Sequence, residues 1–482
     1  MTIPHKLNAL VLLVALATAA LAQPVPPGGP GQPPAGAMPH DGGPPDGGPP
    51  GPMPAPQPPT RIAVDIDNGV FRSSEYTAAV TAGRSKINAT AAKGLTIQSG
   101  IDQLNAVYVH GTSRFTLSDS RIEVSGKGTS DFDGIAAGVL AKDDATLELR
   151  NVRITTNGVV SSAVTATDRT TLKVYRSTLI ANGGPVPSGY VRRIGPGMME
   201  PPTPLGIVGT ARTTLAMGSA KAYYYDSTIM ADGWGALSTD AARGAYLEAN
   251  RCDIRVTRSG YGTYADNGAT VVINDSKLHV ASFGGIIGGQ ANLALNNTET
   301  VSGGNAVMIH SVMGSPKELA VLSIKGGRID TTNAAIVVKS ANADITLDGV
   351  QMRSKNGDLL LGVVNDDGFA TKVKGQPVAG IQALVKNTKL EGNFLQLDTE
   401  RHMTLKFVGT QLKGRIHNAA LSLDATSRWT ANADSQVLLS GPLQLAQLDA
   451  PRGVTIEAKA TPDTGLAAGE HRLASGGTLK LQ

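Results

Sequence analysis

A short motif recurs along the chain, and its spacing constrains the fold more than any other feature. Each copy has β-rich residues, then a polar turn of Asn, Asp, Ser or Gly, then a polar residue and a final apolar one. The copies are LSDSRI (117–122), LRNVRI (149–154), VYRSTL (174–179), YYDSTI (224–229), ANRCDI (249–254), INDSKL (273–278), IKGGRI (324–329), VKNTKL (385–390) and FVGTQL (407–412), with a weaker copy, DGVQM (348–352). The closest copies are 22 to 25 residues apart. This is the length of one coil of a parallel β-solenoid, in which each coil buries its apolar face against its neighbours.

The segments between the motifs alternate between apolar and polar residues. Thr146-Leu147-Glu148-Leu149 and Thr171-Leu172-Lys173-Val174 have the period of two that indicates strands with one face inward. Antiparallel sandwiches also turn every 8 to 12 residues and are the competing fold. The constant spacing of turn and apolar residue favours the solenoid. We therefore predict an all-β protein, a right-handed parallel β-helix with a C-terminal β cap.

The N-terminal region predicts secretion. Residues 1–22 have a basic start, an apolar run and the small residues of a cleavage site, as in a signal peptide. That run is shorter than the ~20 residues that span a bilayer, and no later stretch predicts a transmembrane segment. Residues 23–60 are rich in Pro and Gly and predict a disordered linker. The β-helix is expected over 61–430, with a Pro-rich surface loop insertion at 185–204, and the cap over 431–482.

Composition argues against several classes of partner. The net charge is +4 and the Lys and Arg residues are scattered, which does not indicate nucleic-acid binding. Cys252 is the only cysteine, so the fold has no internal disulfide, and we expect its side chain to be buried. The histidines are dispersed, so we expect no metal site, and no motif implies a cofactor. The oligomeric state stays open.

Counting back four residues from the last apolar residue of each motif predicts a column of side chains along the solenoid. Its members are Ser118, Arg150, Tyr175, Tyr225, Asn250, Asn274 and Lys325. Tyr175 and Tyr225 should share a face, and the asparagines should form a side-chain ladder. In the run of three tyrosines, Tyr224 should point away from its two neighbours, because side chains alternate along a strand.

A second aromatic group is expected at the corner that follows the motif. Gly233-Trp234-Gly235 is followed one coil later by Gly260-Tyr261-Gly262. Rings on successive coils, about 4.8 Å apart, could stack against sugars or seal the corner. The predicted ligand-binding residues are Trp234, Tyr261, Tyr225 and Arg243, in a groove beside the 185–204 loop.

The same groove contains residues with catalytic chemistry. A glycoside hydrolase needs two carboxylates, and Asp232, Asp240 and Asp266 are available. A polysaccharide lyase needs a base and a cation, for which Arg258 with Tyr261 or Tyr264 would serve. The chain lacks the Gly-His-Gly and Arg-Ile-Lys elements of polygalacturonases and the Arg-x-Pro-x-x-Arg element of pectate lyases. Whether the protein is an enzyme stays open.

Residues 61–430 resemble right-handed parallel β-helix proteins in general. The stretch ALSLDATSRWTANADSQVLLSG (420–441) resembles the end of bacterial autotransporter passenger domains, where a Trp-containing strand closes the solenoid. Complete autotransporters continue into a membrane β-barrel, so the resemblance is to the passenger part alone. It implies a secreted protein, extracellular or periplasmic, that binds a polysaccharide or a cell-surface component in the manner of an adhesin. The alternatives are a lyase or hydrolase, and a structural spacer without a ligand.

Overall fold

The computed structural model describes residues 58–311, 315–365 and 378–482, and over these residues the chain is a parallel β-helix. The expected signal peptide (1–22) and residues 23–57 of the expected linker lie outside the described residues. Equivalent strands of successive coils pair in parallel and in register. Each coil contributes up to three strands, which form three long faces of the solenoid. The predicted fold class is confirmed.

The first face contains the strands that precede the polar turn of the motif. They are β4 (Ala91–Lys93), β7 (Arg114–Ser118), β10 (Thr146–Arg150), β13 (Thr171–Tyr175), β16 (Lys221–Tyr225), β18 (Tyr246–Asn250), β20 (Thr270–Asn274), β23 (Asn292–Asn296), β26 (Ala320–Lys325), β29 (Ala343–Asp348), β32 (Ile381–Lys386), β35 (Met403–Val408), β39 (Ser435–Leu439), β41 (Thr455–Ala460) and β43 (Thr478–Leu481).

The second face contains the strands that follow the turn. They are β5 (Thr96–Ser99), β8 (Arg121–Val124), β11 (Arg153–Thr156), β14 (Thr178–Ala181), β21 (Lys277–Val280), β24 (Glu299–Ser302), β27 (Arg328–Thr331), β30 (Gln351–Ser354), β33 (Lys389–Glu391), β36 (Gln411–Lys413), β38 (Arg428–Thr430) and β40 (Leu448–Asp449).

The third face completes each coil. Its strands are β1 (Arg61–Asp67), β6 (Leu104–His110), β9 (Val139–Ala141), β12 (Val164–Ala166), β15 (Arg212–Gly218), β22 (Phe283–Gly288), β25 (Asn305–His310), β28 (Ile336–Lys339), β31 (Asp358–Val363) and β34 (Asn393–Gln396). Two long strands, β17 (Thr228–Ala242) and β19 (Asp253–Ala265), run from the second face into the third, and β37 (Ile416–Leu423) runs from the third into the first.

The last apolar residues of the motifs stack on one another inside the solenoid. Ile122 pairs with Ile154, and Ile154 pairs with Leu179. The column continues to Ile229 and Ile254, and all five side chains are fully buried. Stacked aliphatic residues of this kind form the continuous apolar core, because no coil can bury its inner face alone. The repeat predicted from the sequence is therefore the repeat of the structure.

The polar turn of the motif holds one residue of each coil in the left-handed backbone region. We call these stacked residues the turn row: Asp119, Asn151, Arg176, Asp226, Arg251, Asp275, Asn297, Gly326, Gly349, Asn387 and Gly409, with φ between 46° and 64°. Asn, Asp and Gly adopt this conformation at the lowest cost, which explains their recurrence. The following position is usually Ser or Thr. There Ser276 Oγ accepts a hydrogen bond from the amide of Cys252, whose own side chain is buried as expected.

Both ends of the solenoid carry antiparallel strands. At the N-terminal end, β2 (Val70–Arg72) pairs with β1, and β3 (Val80–Ala82) pairs with β5. At the C-terminal end, β42 (Gly469–Arg472) pairs with β43. Parallel pairing of β39, β41 and β43 continues past residue 430, where we expected the cap to begin. The inward column continues through Val437 and Ala458, so these coils remain part of the core. Short 3₁₀ turns occur at Glu75–Ala79, Arg84–Lys86, Thr203–Leu205, Leu445–Gln447 and Pro462–Thr464.

The segment 182–211 lies between β14 and β15 and covers the outside of the third face. Met198, Leu205 and Ile207 of this segment are buried in a second apolar cluster. The same cluster contains outward-facing residues of the third face, among them Trp234 and Tyr261. The Pro-rich insertion therefore packs against the solenoid wall. Part of this segment, Pro196 and Gly197, also borders the candidate site.

Candidate functional site in a lateral groove

A groove of about 1070 Å³ runs along the corner that follows the third-face strands. Its floor is formed by the corner residues of four successive coils, after β9, β12, β15 and β17. One wall is the loop between β8 and β9, which contributes Phe132 and Asp133. Pro196 and Gly197 of the 182–211 segment line the groove as well. A groove that crosses several coils has the shape of a site for an extended ligand.

Two aspartates occupy equivalent left-handed positions in the floor. Asp143 and Asp168 have φ of 63° and 59°, and they continue a corner row that contains Asn68 and Gly111 in the preceding coils. The amide of Gly111 donates to Asp143 Oδ2 at 2.9 Å, and the amide of Asp143 donates to Asp168 Oδ2 at 3.4 Å. Each carboxylate thus uses one oxygen to bind the backbone of the neighbouring coil. These contacts fix the orientation of the second oxygen of each carboxylate beside the groove.

The groove also contains three basic residues, which balance its three aspartates. Arg169 binds Asp144 of the neighbouring coil through two hydrogen bonds of 2.6 Å. Lys142 and Arg243 also line the groove, and neither forms a salt bridge within the part of the chain that the structure describes. Burial raises the pKa of Asp133, whose carboxylate accepts hydrogen bonds from the Thr129 hydroxyl and the amide of Ile135.

A buried arginine holds the groove wall against the solenoid. Arg212 on β15 is 1% exposed and binds the carboxylate of Asp131 in the β8–β9 loop. Its Nη1 also donates to Asp240 Oδ2 at 2.8 Å. The guanidinium lies 5.2 Å from the Trp234 ring centroid and 5.9 Å from that of Phe132. One cation therefore joins two coils of the third face to the loop that forms the wall.

Asp240 and Asp266 form a pair of neighbouring carboxylates next to this arginine. Ser238 pairs with Tyr264, so the two aspartates, each two residues further on, occupy equivalent positions of adjacent coils. Asp266 Oδ2 accepts from the amide of Ala242 at 3.2 Å. Burial, together with the charge of Asp240, raises the pKa of Asp266 to about 8. The pair thus combines a carboxylate bound to arginine with one that keeps its proton near neutral pH.

This arrangement predicts a pH dependence of stability. The pKa of Asp266 is higher in the folded protein than its ordinary value of 3.8, so the folded state holds this proton more tightly than the unfolded state does. The contribution of Asp266 to the free energy of unfolding is fully present below pH ~4 and is lost as the pH rises towards ~8. Over this range the free energy of unfolding falls by at most about 1.4 kcal/mol per pH unit. We expect Asp266→Asn to flatten this dependence in denaturant titrations. Asp344→Asn, at an exposed position, should leave the pH dependence of stability unchanged. If the stability of Asp266→Asn varies with pH in the same way as that of the wild type, the raised pKa of Asp266 is contradicted.

The predicted aromatic binding face is buried in the structure. Trp234 and Tyr261 are 2% and 1% exposed, so neither ring presents a face to a ligand. The two residues are also out of register, because a bulge pairs Trp234 with Gly260 and places Tyr261 opposite Gly235. A Cβ atom on Gly235 would lie 2.0 Å from the Tyr261 ring, so this glycine makes room for the tyrosine. The rings seal the corner, which is the alternative that the sequence left open.

The remaining predicted residues lie in different surroundings. Asp232 and Arg258 are bound to each other, with 2.9 Å between Arg258 Nε and Asp232 Oδ2. Tyr264 is buried, and burial raises its pKa well above the usual range, which disfavours a role as a base. Tyr225 stacks on Tyr175 on the first face, with ring centroids 5.0 Å apart. Of the four predicted ligand-binding residues, Arg243 lines the groove.

The column that contains Tyr225 has the predicted register. Arg150 lies over the Tyr175 ring at 4.4 Å from its centroid. The Asn274 amide donates to Asn250 Oδ1 at 3.0 Å, and a further asparagine, Asn296, donates to Asn274 at 2.9 Å. The expected ladder of Asn250 and Asn274 is confirmed, and Asn296 extends it by one residue.

Most residues of the groove were not predicted from the sequence. Arg212 and Asp131 are 81 residues apart in sequence, and no local pattern connects them. Asp143 and Asp168 had a detectable signal, since each follows a short third-face strand and is 25 residues from the other. Aligning the third strands of the coils, rather than the motif alone, would have placed both residues at one corner.

No protein-family model matches the chain, and no curated protein matches it. Within residues 58–311, 315–365 and 378–482, no helix is long and apolar enough to cross a membrane. In the same described ranges, no group of three or more His, Cys, Asp or Glu side chains is arranged to hold a metal ion.

Proposed function

We propose that this β-helix protein binds an extended, uncharged polysaccharide in the lateral groove. The observation that carries the proposal is the groove itself, about 1070 Å³ in volume and continuous over the corners of four coils. Its floor is held in place, because each corner follows directly on a strand that pairs with its neighbours on both sides. A rigid floor binds a polymer at low entropic cost, since little of the site must be ordered on binding.

The charge of the groove favours a neutral, hydroxyl-rich ligand. Asp133, Asp143 and Asp168 are matched by Lys142, Arg169 and Arg243, so the lining has no net charge. Carboxylates accept hydrogen bonds from sugar hydroxyls, and Lys and Arg donate to ring and hydroxyl oxygens. Phe132 supplies an apolar surface in the same groove. A polyanion would gain no net electrostatic attraction from such a lining, whereas an uncharged glycan uses both its donors and its acceptors.

The N-terminal sequence and the passenger-like stretch extend the proposal to location. The signal-like segment 1–22 supports export, and the stretch 420–441 supports a relation to autotransporter passenger domains. We propose a secreted or surface-associated protein of adhesin-like type that holds a polysaccharide or a cell-surface component along its side. The Pro/Gly-rich segment 23–60 would then act as a spacer.

A second candidate is hydrolysis of the bound polysaccharide. It is favoured by the Asp240 and Asp266 pair, which adjoins the groove at Ala241, because two neighbouring carboxylates are the usual equipment of glycoside hydrolases. Asp266 would act as the acid and Asp240 as the base or nucleophile. A lyase is less favoured, because Arg258 is bound to Asp232 and burial opposes ionisation of Tyr264.

One experiment tests both candidates. The purified protein is titrated with soluble neutral glucans, mannans and xylans, and binding and the release of reducing ends are followed together. We expect saturable binding to one class, weakened about 10-fold by Arg243→Ala, as for loss of one charged hydrogen bond. Lys277→Ala is the matched control, since it removes one positive charge from the second face, away from the groove.

The outcomes separate the two candidates. Binding without new reducing ends supports the binding protein, and turnover that is lost in Asp240→Asn supports the hydrolase. Equal loss of binding in Arg243→Ala and Lys277→Ala, or no binding to any neutral glycan, would show that the groove is not the site.

A further inference from the structure

A second hollow, of about 340 Å³, lies at the turn between the first and second faces near the N-terminal end. It is lined by three arginines from successive coils, Arg121, Arg153 and Arg176. Arg121 and Arg153 are paired in register on β8 and β11, so two guanidinium groups project side by side. Arg176 belongs to the turn row of the next coil.

These arginines differ from their equivalents further along the solenoid. The same second-face column continues as Asp253, Lys277, Glu299 and Arg328, in which the sign of charge alternates. Arg328 binds Glu299 at 3.2 Å. At the hollow, the neighbours of the two stacked arginines are threonines, Thr96 and Thr178. Like charges at adjacent positions repel, and here the column itself supplies no compensating carboxylate.

The acidic residues near the hollow have other partners. Asp119 binds Lys93 at 3.4 Å and accepts from Asn151 at 2.8 Å. Glu123 binds Arg121 at 3.2 Å. Asp226, which follows Arg176 in the turn row, is held by two hydrogen bonds from Arg251.

Arg153 and Arg176 are exposed, and neither forms a salt bridge within the described residues. The hollow therefore has an excess of positive charge and two guanidinium groups with free donors. Guanidinium groups bind tetrahedral oxyanions through paired hydrogen bonds.

We propose that this hollow binds a sulfate or phosphate group through Arg121, Arg153 and Arg176. Ser120 and Asn151 also line the hollow, and both are hydrogen-bonded to neighbouring groups, so the arginines supply the free donors. The group would be a free ion or an ester on a polymer, and the chemistry of recognition is the same for both. The site is independent of the lateral groove, because the two share no lining residue.

The test uses the full chain and two probes. Inorganic sulfate and phosphate are titrated at constant ionic strength and the thermal midpoint is followed, and retention on immobilised dextran sulfate is measured as a function of salt. We expect saturable stabilisation or specific retention for the wild type, with an apparent affinity about 10-fold lower in Arg153→Gln. Arg328→Gln is the matched control, because Arg328 occupies the same column and has its own acidic partner.

A response to the inorganic ions identifies a site for the free anion, and a response to dextran sulfate alone identifies a site for polymer-borne esters. Either supports the proposal if its apparent affinity falls about 10-fold in Arg153→Gln and is unchanged in Arg328→Gln. Equal effects of the two variants, or no response to either probe, would overturn it. Because both arginines are exposed, neither substitution should prevent folding.

Discussion

Replacing Arg212 with methionine is expected to lower the free energy of unfolding by about 3–5 kcal/mol. The substitution leaves Asp131, which is 3% exposed, buried without its cation. It also removes the hydrogen bond to Asp240 and the contact with the Trp234 ring. The effect is measured by chemical denaturation, followed by the combined fluorescence of the two tryptophans, Trp234 and Trp429.

Two further variants distinguish the effect of an unpaired buried charge from the effect of losing an arginine in general. Arg169→Met breaks the exposed pair with Asp144 and should change stability little, since exposed pairs contribute little. Arg212→Met combined with Asp131→Leu removes both charges and should recover part of the loss, because the uncompensated carboxylate is the main cost. If the double variant is as unstable as Arg212→Met, packing rather than charge explains the effect.

Replacing Trp429 with alanine is expected to destabilise the C-terminal coils by about 3–5 kcal/mol. Trp429 is fully buried in the column of final apolar residues, between Leu412 and Leu448. Its indole Nε1 donates to the carbonyl of Gly414 at 2.8 Å. The substitution creates a cavity and leaves that carbonyl without its partner.

The loss should be confined to one end of the molecule. In a solenoid each coil contacts its neighbours only, so stability is close to a sum of local terms. Hydrogen exchange should therefore quicken in β39, β41 and β43, while β7 to β24 keep their protection. Leu438→Ala is the control, since Leu438 is 41% exposed and pairs in the same region. Uniform loss of protection along the whole chain would contradict a nearest-neighbour solenoid.

Local sequence pattern was sufficient for the repeating part of the structure. The motif predicted the parallel β-helix and the register of Tyr175 with Tyr225 and of Asn250 with Asn274. Local pattern was sufficient here because every coil repeats the same short-range relation between the turn residue and the inward-facing residue. A left-handed turn selects Asn, Asp or Gly, and the residue three positions later faces the core.

The pattern failed where coils depart from the repeat. Trp234 was predicted to bind a ligand at the corner, but it packs in the apolar cluster with residues of the segment 182–211, and a bulge shifts it from Tyr261 by one position. A Cβ on Gly209 or Gly260 would lie 2.3 Å from the Trp234 backbone, so these glycines permit close approach rather than flexibility. Bulges and covering loops depend on contacts distant in sequence, which a local pattern does not contain.

The sequence by itself determined the period, the inward columns and the turn row, because these follow from backbone geometry within one coil. Only the tertiary structure decided which residues form the two hollows. The groove joins corners of four coils to a loop held by Arg212 and Asp131. The arginine hollow joins Arg121 and Arg153, whose shared register the motif already implies, to Arg176 in the turn row of the next coil. Both depend on the stacking of coils of unequal length, which places residues of distant segments at one position.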